Sequence, residues 1–146
     1  MSSISGSDTA ISGRFFQTSD IGRIFRWSEI SEIHRTRNGI FQSGGVLRSL
    51  LTDFGKITQP YQDRYRDDGD VISYTGAGRR GDQRLDPQNQ AMLAAIESRH
   101  FVPLFCKLGV NRWQFLGYWR VAAGEYVFDE HQQRMLWKFT LQLQGR

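Results

Sequence analysis

The sequence has one cysteine, Cys106, which excludes an intrachain disulfide; its place in the apolar run FVPLFCKL points to an inert buried thiol in a reducing cytoplasm. No apolar run approaches the roughly 20 residues that a membrane-crossing helix needs. The opening residues MSSISGSDTAISG lack the apolar centre of a secretion signal and read as a disordered leader over 1–13, leaving 14–146 as one domain. His34, His100 and His131 are scattered, and none has a second histidine or cysteine at metal-ligand spacing. That argues against a zinc centre or an HNH-type nuclease site, and no metal or cofactor is expected. Acid pairs followed by Glu-x-Lys are also missing, as are internal repeats and low-complexity tracts beyond the leader.

What is present suits one soluble domain. A chain of 146 residues with 39% hydrophobic and 23% charged residues can bury a sizeable core. The net charge is only +4, yet 16 of the 19 basic residues are arginine, the forked cation that grips phosphate and carboxylate through paired hydrogen bonds. Charge alone favours a composition bias with ordinary solvated faces, but the arginine skew makes nucleic acid a reasonable partner.

Along the chain, Thr18-Ser19-Asp20 offers a capped start for a helix through Ile33, with a strand from Ile24 to Trp27 as the alternative. Arg37 to Gly45, with Asn-Gly and Gly-Gly pairs, reads as an exposed loop. Val46 to Ile57 fits a strand or a short helix. Gln59 to Asp70 reads as loop and turn before the strand VISYT. DPQNQAMLAAIESRH is the clearest helix, with Asp86 as cap, Pro87 in the first turn, and Met92, Leu93 and Ile96 on one face. Three strand-like runs follow: FVPLFCKL, WQFLGYWRVAAG and the alternating MLWKFTLQLQ. Clustered strands predict an α+β fold, a strongly bent sheet or barrel with helices at its ends.

GAGRRG, Gly76 to Gly81, matches the G-x-G-x-x-G dinucleotide fingerprint. That fingerprint works only when its glycines open a helix and an acid about 20 residues later meets the ribose. Here the helix starts at Asp86 and Pro87, and FVPLFCKL stands where the acid belongs. The Lys and Ser/Thr of a phosphate-binding P-loop are missing too. Two accounts remain: glycines that admit a flat or anionic ligand beside the Arg79-Arg80 pair, or a tight strand-to-helix turn with solvated arginines.

The string HRTRNGI, PYQD, VISYTGAGRRGDQ, DPQNQAMLAA, FVPLF, FLGYWRV and MLWKFTLQL, taken in order over Ile21 to Leu143, resembles the SRA (YDG) family of modified-cytosine readers, in the compact form found in bacterial modification-dependent restriction endonucleases. The resemblance implies a PUA-like twisted β-barrel or saddle with two or three helices. It also implies binding of double-stranded DNA carrying 5-methylcytosine or 5-hydroxymethylcytosine, with the base flipped into an aromatic pocket; the alternative is a PUA-like RNA-binding domain. Tyr74 and Tyr61 become the expected stacking rings, since new stacking must offset the few kcal/mol of unstacking.

Asp63 becomes the expected reader of the cytosine N4 amino group, with Asp67 or Asp68 in register as alternatives, and Thr75 and Gly76 complete the pocket. Arg37, Arg79 and Arg80 are expected on phosphates, and Gln42 and Ser43 in a groove. Asp82, Gln83 and Asn89 are expected to brace the glycine turn, and Trp27, Trp113, Trp119 and Trp137 to be core or sheet-face aromatics. Adjacent acids at Asp67, Asp68 and Asp70 usually face solvent, so the chain is expected to be a reader without turnover; any nuclease would be fused or associated.

Overall fold

The computed structural model describes residues 16–55, 63–66 and 69–145. The leader expected at 1–13, the ring of Tyr61, and the alternatives Asp67 and Asp68 lie outside the described residues. The elements run β1 (Ile24–Phe25), α1 (Trp27–Ile30), β2 (Ile40–Ser43), β3 (Val46–Thr52), β4 (Arg64–Tyr65), β5 (Val71–Thr75), α2 (Pro87–Ser98), β6 (Val102–Gly109), β7 (Arg112–Asp129) and β8 (Arg134–Leu143). A short 3-10 turn, Thr18–Asp20, precedes them.

The strands form one mixed sheet of eight in the order β2-β3-β6-β7-β8-β5-β4, with β1 added alongside β7. The sheet is open rather than closed into a barrel: β2 and β4 are its ends. Every pairing among the described strands is antiparallel except β3 with β6.

The parallel pair explains why Val46 to Ile57 reads ambiguously. Leu50 pairs with Leu104 and Leu51 with Phe105, and the two pairs face opposite sides of the sheet into separate apolar clusters. A strand buried on both faces has no alternation to read. One cluster lies under α2 and includes Ile72, Tyr74, Met92, Trp119 and Phe139. The other joins Phe16, Phe25, Ile30, Phe105, Trp113 and Phe115 beneath the N-terminal segment. β7 keeps the period-two pattern from Arg112 to Val121, burying Trp113, Phe115, Trp119 and Val121.

Of the two readings of the stretch to Ile33, the strand alternative holds: β1 is followed by a single helical turn, α1. Two other sequence expectations change. The loop from Arg37 to Gly45 contains β2, and only Gly44-Gly45 forms the turn into β3. On α2 the buried face is Asn89, Ala91, Met92 and Ala95, with Leu93 and Ile96 only packed against the cluster. The start of α2 is as expected: Asp86 Oδ1 accepts from Asn89 N at 2.9 Å, and Pro87 stands in the first turn. Among the described residues no helix is long and apolar enough to cross a membrane.

Candidate nucleic-acid interface

A cavity of about 470 Å³ opens where β3, β5 and the loops that precede β2 and α2 meet. Its lining includes Arg37, Asp63, Tyr74, Thr75, Gly76 and Arg79, so six residues separated in sequence by up to 42 positions share one concavity. Arg80 is exposed and is not among the lining residues.

Asp63 is 5% exposed and both its oxygens are engaged: Thr75 N donates to Oδ1 at 2.6 Å and Thr52 Oγ1 to Oδ2 at 2.7 Å. Burial pushes its carboxyl up to about 6, while the hydrogen bonds from Thr75 and Thr52 and the nearby Lys138 ammonium pull the other way. A carboxylate offers about four acceptor sites, so two internal donors leave room for another. The register of β4 on β5, with Arg64 opposite Ser73, sets Asp63 beside Thr75. Lys138, opposite Thr75 on β8, donates to Thr75 Oγ1 at 3.0 Å.

Tyr74 belongs to the core as well as to the cavity. It is 3% exposed, and its hydroxyl donates to the Leu51 carbonyl at 2.7 Å, with the Gly39 carbonyl at 3.2 Å. The ring is therefore fixed before any ligand arrives. His34 anchors the neighbouring loop: its ring nitrogens lie 2.6 Å from Ser49 Oγ and 2.6 Å from the Asn38 carbonyl. Burial lowers the His34 pKa to about 4, so the ring stays neutral at physiological pH.

The glycines of GAGRRG serve the turn. A Cβ on Gly76 would stand 2.7 Å from Asn89 Oδ1 and 2.7 Å from Trp137 Cβ, and Gly78 has φ +123°, a conformation that side chains disfavour. The bracing is that expected: Gln83 Nε2 donates to the Gly76 and Gly78 carbonyls, Asn89 Oδ1 accepts from Ala77 N, and Asp82 Oδ1 accepts from Met135 N. Arg134 adds bonds to the carbonyls of Gly78 and Gly81. The turn thus presents Arg79 at the rim with its backbone already satisfied from behind.

Gln42 and Ser43 end β2 away from the cavity; Gln42 Oε1 accepts from Gly45 N at 2.9 Å and lines a separate shallow depression beside α2. The segment Arg37–Asn38–Gly39 lines the cavity instead. Trp113 is in the second core cluster with Trp27 packed against it, as expected of core aromatics, but both also line the cavity, which sequence reasoning did not anticipate; their ring centroids are 5.4 Å apart. The Arg37 guanidinium stacks over Trp27 at 4.3 Å, and Lys107 lies over Trp113 at 5.7 Å. Sequence reasoning also missed Asp53, a second lining carboxyl, whose Oδ1 accepts from Gly55 N at 2.7 Å. Trp119 is core as expected. No cluster of metal-ligating side chains occurs among the described residues.

The family model for the ScoMcrA-like SRA domain matches residues 26–143. No curated protein matches the chain. Among solved structures, the SUVH5 SRA domain in complex with hemimethylated CG DNA is similar with a TM-score of 0.75 at 24% identity, over 94% of this chain and 96% of that one. The SUVH5 SRA domain bound to fully hydroxymethylated CG DNA gives 0.66 at 24%, over 92% and 89%. The modification-dependent TagI restriction endonuclease gives 0.70 at 20% identity, over 86% of this chain and 50% of that one. At these identities the structures share the fold with this chain.

Proposed function

Because the chain belongs to the ScoMcrA-like SRA domain family, we propose that it binds double-stranded DNA carrying 5-methylcytosine or 5-hydroxymethylcytosine and holds the flipped base in the cavity beside Asp63 and Tyr74. The observation that carries the reading is Asp63: a buried carboxyl, polarised by Thr75 and Thr52, on the wall of a cavity with arginines at its rim. The wall accepts hydrogen bonds, so the N4 amino group of cytosine satisfies it and the O4 of thymine is repelled. Tyr74 supplies one stacking face, Tyr61 the other, and Thr75 with the backbone at Gly76 meets the rest of the base edge. Arg37, Arg79 and Arg80 hold phosphates around the extruded nucleotide. Gln42 and Ser43 lie outside the cavity, so their contact with a groove is made away from the base.

The domain acts as a reader without turnover, the recognition module of a modification-dependent restriction system. Cleavage belongs to a fused or associated nuclease. Support comes from TagI, of which this chain spans half the length.

The reading is tested by competition among duplexes that differ only in the substituent on one cytosine. Tighter retention of the methylated or hydroxymethylated duplex, lost in Tyr74→Ala, supports it. Equal retention of all duplexes, or preference for structured RNA, contradicts it.

A further inference from the structure

Behind Thr75 the cavity wall carries a cation that the reading above leaves unused. Lys138 is half-buried on β8 and sits opposite Thr75 in the antiparallel ladder, where its ammonium donates to Thr75 Oγ1 at 3.0 Å. An ammonium has donors only, whereas a threonine hydroxyl has one proton and two lone pairs. Lys138 therefore occupies a lone pair of Oγ1 and leaves the Thr75 proton to donate, either to Asp63 or into the cavity. Asp63 is meanwhile held by Thr75 N at 2.6 Å and Thr52 Oγ1 at 2.7 Å. With the Thr75 proton turned into the cavity, the wall presents an accepting carboxylate next to a donating hydroxyl. Cytosine offers the complementary order, an amino donor beside a ring-nitrogen acceptor, and thymine offers the reverse.

We propose that Lys138 is a positioning residue for base identity: by donating to Thr75 and facing the Asp63 carboxylate, it holds the wall in the order that accepts cytosine and refuses thymine. The inference rests on the reading of Asp63 and Thr75 as the groups that meet the flipped base. Its electrostatic setting is defined on every side. Asp63 faces Thr52 from β3, Thr75 from β5 and Lys138 from β8, while Lys138 itself faces Arg64 of β4, Asp129 of β7 and Arg134 of β8. Burial lowers the Lys138 pKa, and the carboxylates of Asp63 and Asp129 oppose that shift. Without the ammonium, the Asp63 carboxyl keeps its burial penalty and loses its nearest compensating charge.

The experiment compares two duplexes: one with 5-methylcytosine opposite guanine, the other with thymine opposite the same guanine. Both bases carry the 5-methyl group, so only the 3- and 4-positions differ. Wild type, Lys138→Met and Lys138→Arg are titrated with each between about pH 5 and pH 8, the range that brackets a raised carboxylate. Wild type prefers the methylcytosine duplex, and the preference falls in acid. Lys138→Met is expected to lose about tenfold of that preference and to shift its acid midpoint upward, while Lys138→Arg retains most of both. Equal preference and an unchanged midpoint in Lys138→Met overturn the inference; so does a uniform weakening on both duplexes with the ratio and midpoint unmoved. Should Lys138→Met fail to fold, Lys138→Gln carries the same comparison. A wild type indifferent to the two bases brings down the flipped-base reading itself, an outcome separate from a Lys138 variant that behaves like wild type.

Discussion

Asp63 is held between burial, which favours its neutral form, and two internal donors that favour the carboxylate. Its folded pKa is raised, to about 6 from 3.8, so the folded protein binds this proton more tightly than the unfolded chain. The stability contributed by the protonated carboxyl is therefore fully present below 3.8 and is lost as pH rises through about 6. Denaturation without DNA, compared with Asp63→Asn, is expected to show that dependence. Binding has the opposite sign, because an N4 donor favours the carboxylate: preference for methylcytosine over thymine falls as pH drops below about 6. At neutral pH, Asp63→Asn should lose roughly tenfold of that preference, since a well-made base-edge contact contributes about 1–3 kcal/mol of discrimination. Tyr74→Phe separates ring from hydroxyl. It leaves the Leu51 carbonyl unpaired and should cost about 1–3 kcal/mol in urea denaturation, with base preference retained.

Among the elements, the glycine turn between β5 and α2 positions most of one cavity wall. Gly76→Ala would force a Cβ to 2.7 Å from both Asn89 Oδ1 and Trp137 Cβ, so about 1–3 kcal/mol of stability should be lost, measured by chemical denaturation. How far these elements can be read in sequence depends on where their partners lie. α2 carries its own start in Asp86 and Pro87, and the stretch of β8 from Phe139 to Gln142 shows its burial as alternation. β3 is hidden because its parallel partner β6 lies some 50 residues away and both its faces are buried. The place of Asp63 on the cavity wall is legible only once β4 is set on β5, since spacing alone leaves several nearby acids in play. Trp27 and Trp113 line the cavity yet look in sequence like any core aromatics; the hydrogen bond from Trp27 N to Asn111 Oδ1, 84 residues apart, joins their elements. Gln42 and Ser43 illustrate the converse: a Gly-Gly turn looks like a functional loop, but the hairpin end it forms lies away from the cavity, which Ile40, Leu51 and Thr52 at the other end of the hairpin line.

For the whole molecule, the modest net charge of +4 conceals a cavity rimmed by Arg37, Arg79 and Lys107. Contacts to phosphate should make binding fall steeply with salt, and Arg79→Ala or Arg80→Ala should each lower the slope of log affinity against log salt by about 1. The ratio of modified to plain duplex should stay nearly constant in those variants, because that ratio arises inside the cavity; a titration series in salt with both duplexes checks this. The central claim is geometric: one modified cytosine leaves its helix and enters the cavity between the Tyr74 ring and the Asp63 carboxylate. The structure of the protein with a singly methylated duplex tests it most directly. The account predicts an extrahelical pyrimidine stacked on Tyr74, with its N4 about 2.7–3.2 Å from a carboxylate oxygen of Asp63; a methylcytosine still stacked in its duplex, or extruded to any other part of the surface, would contradict it.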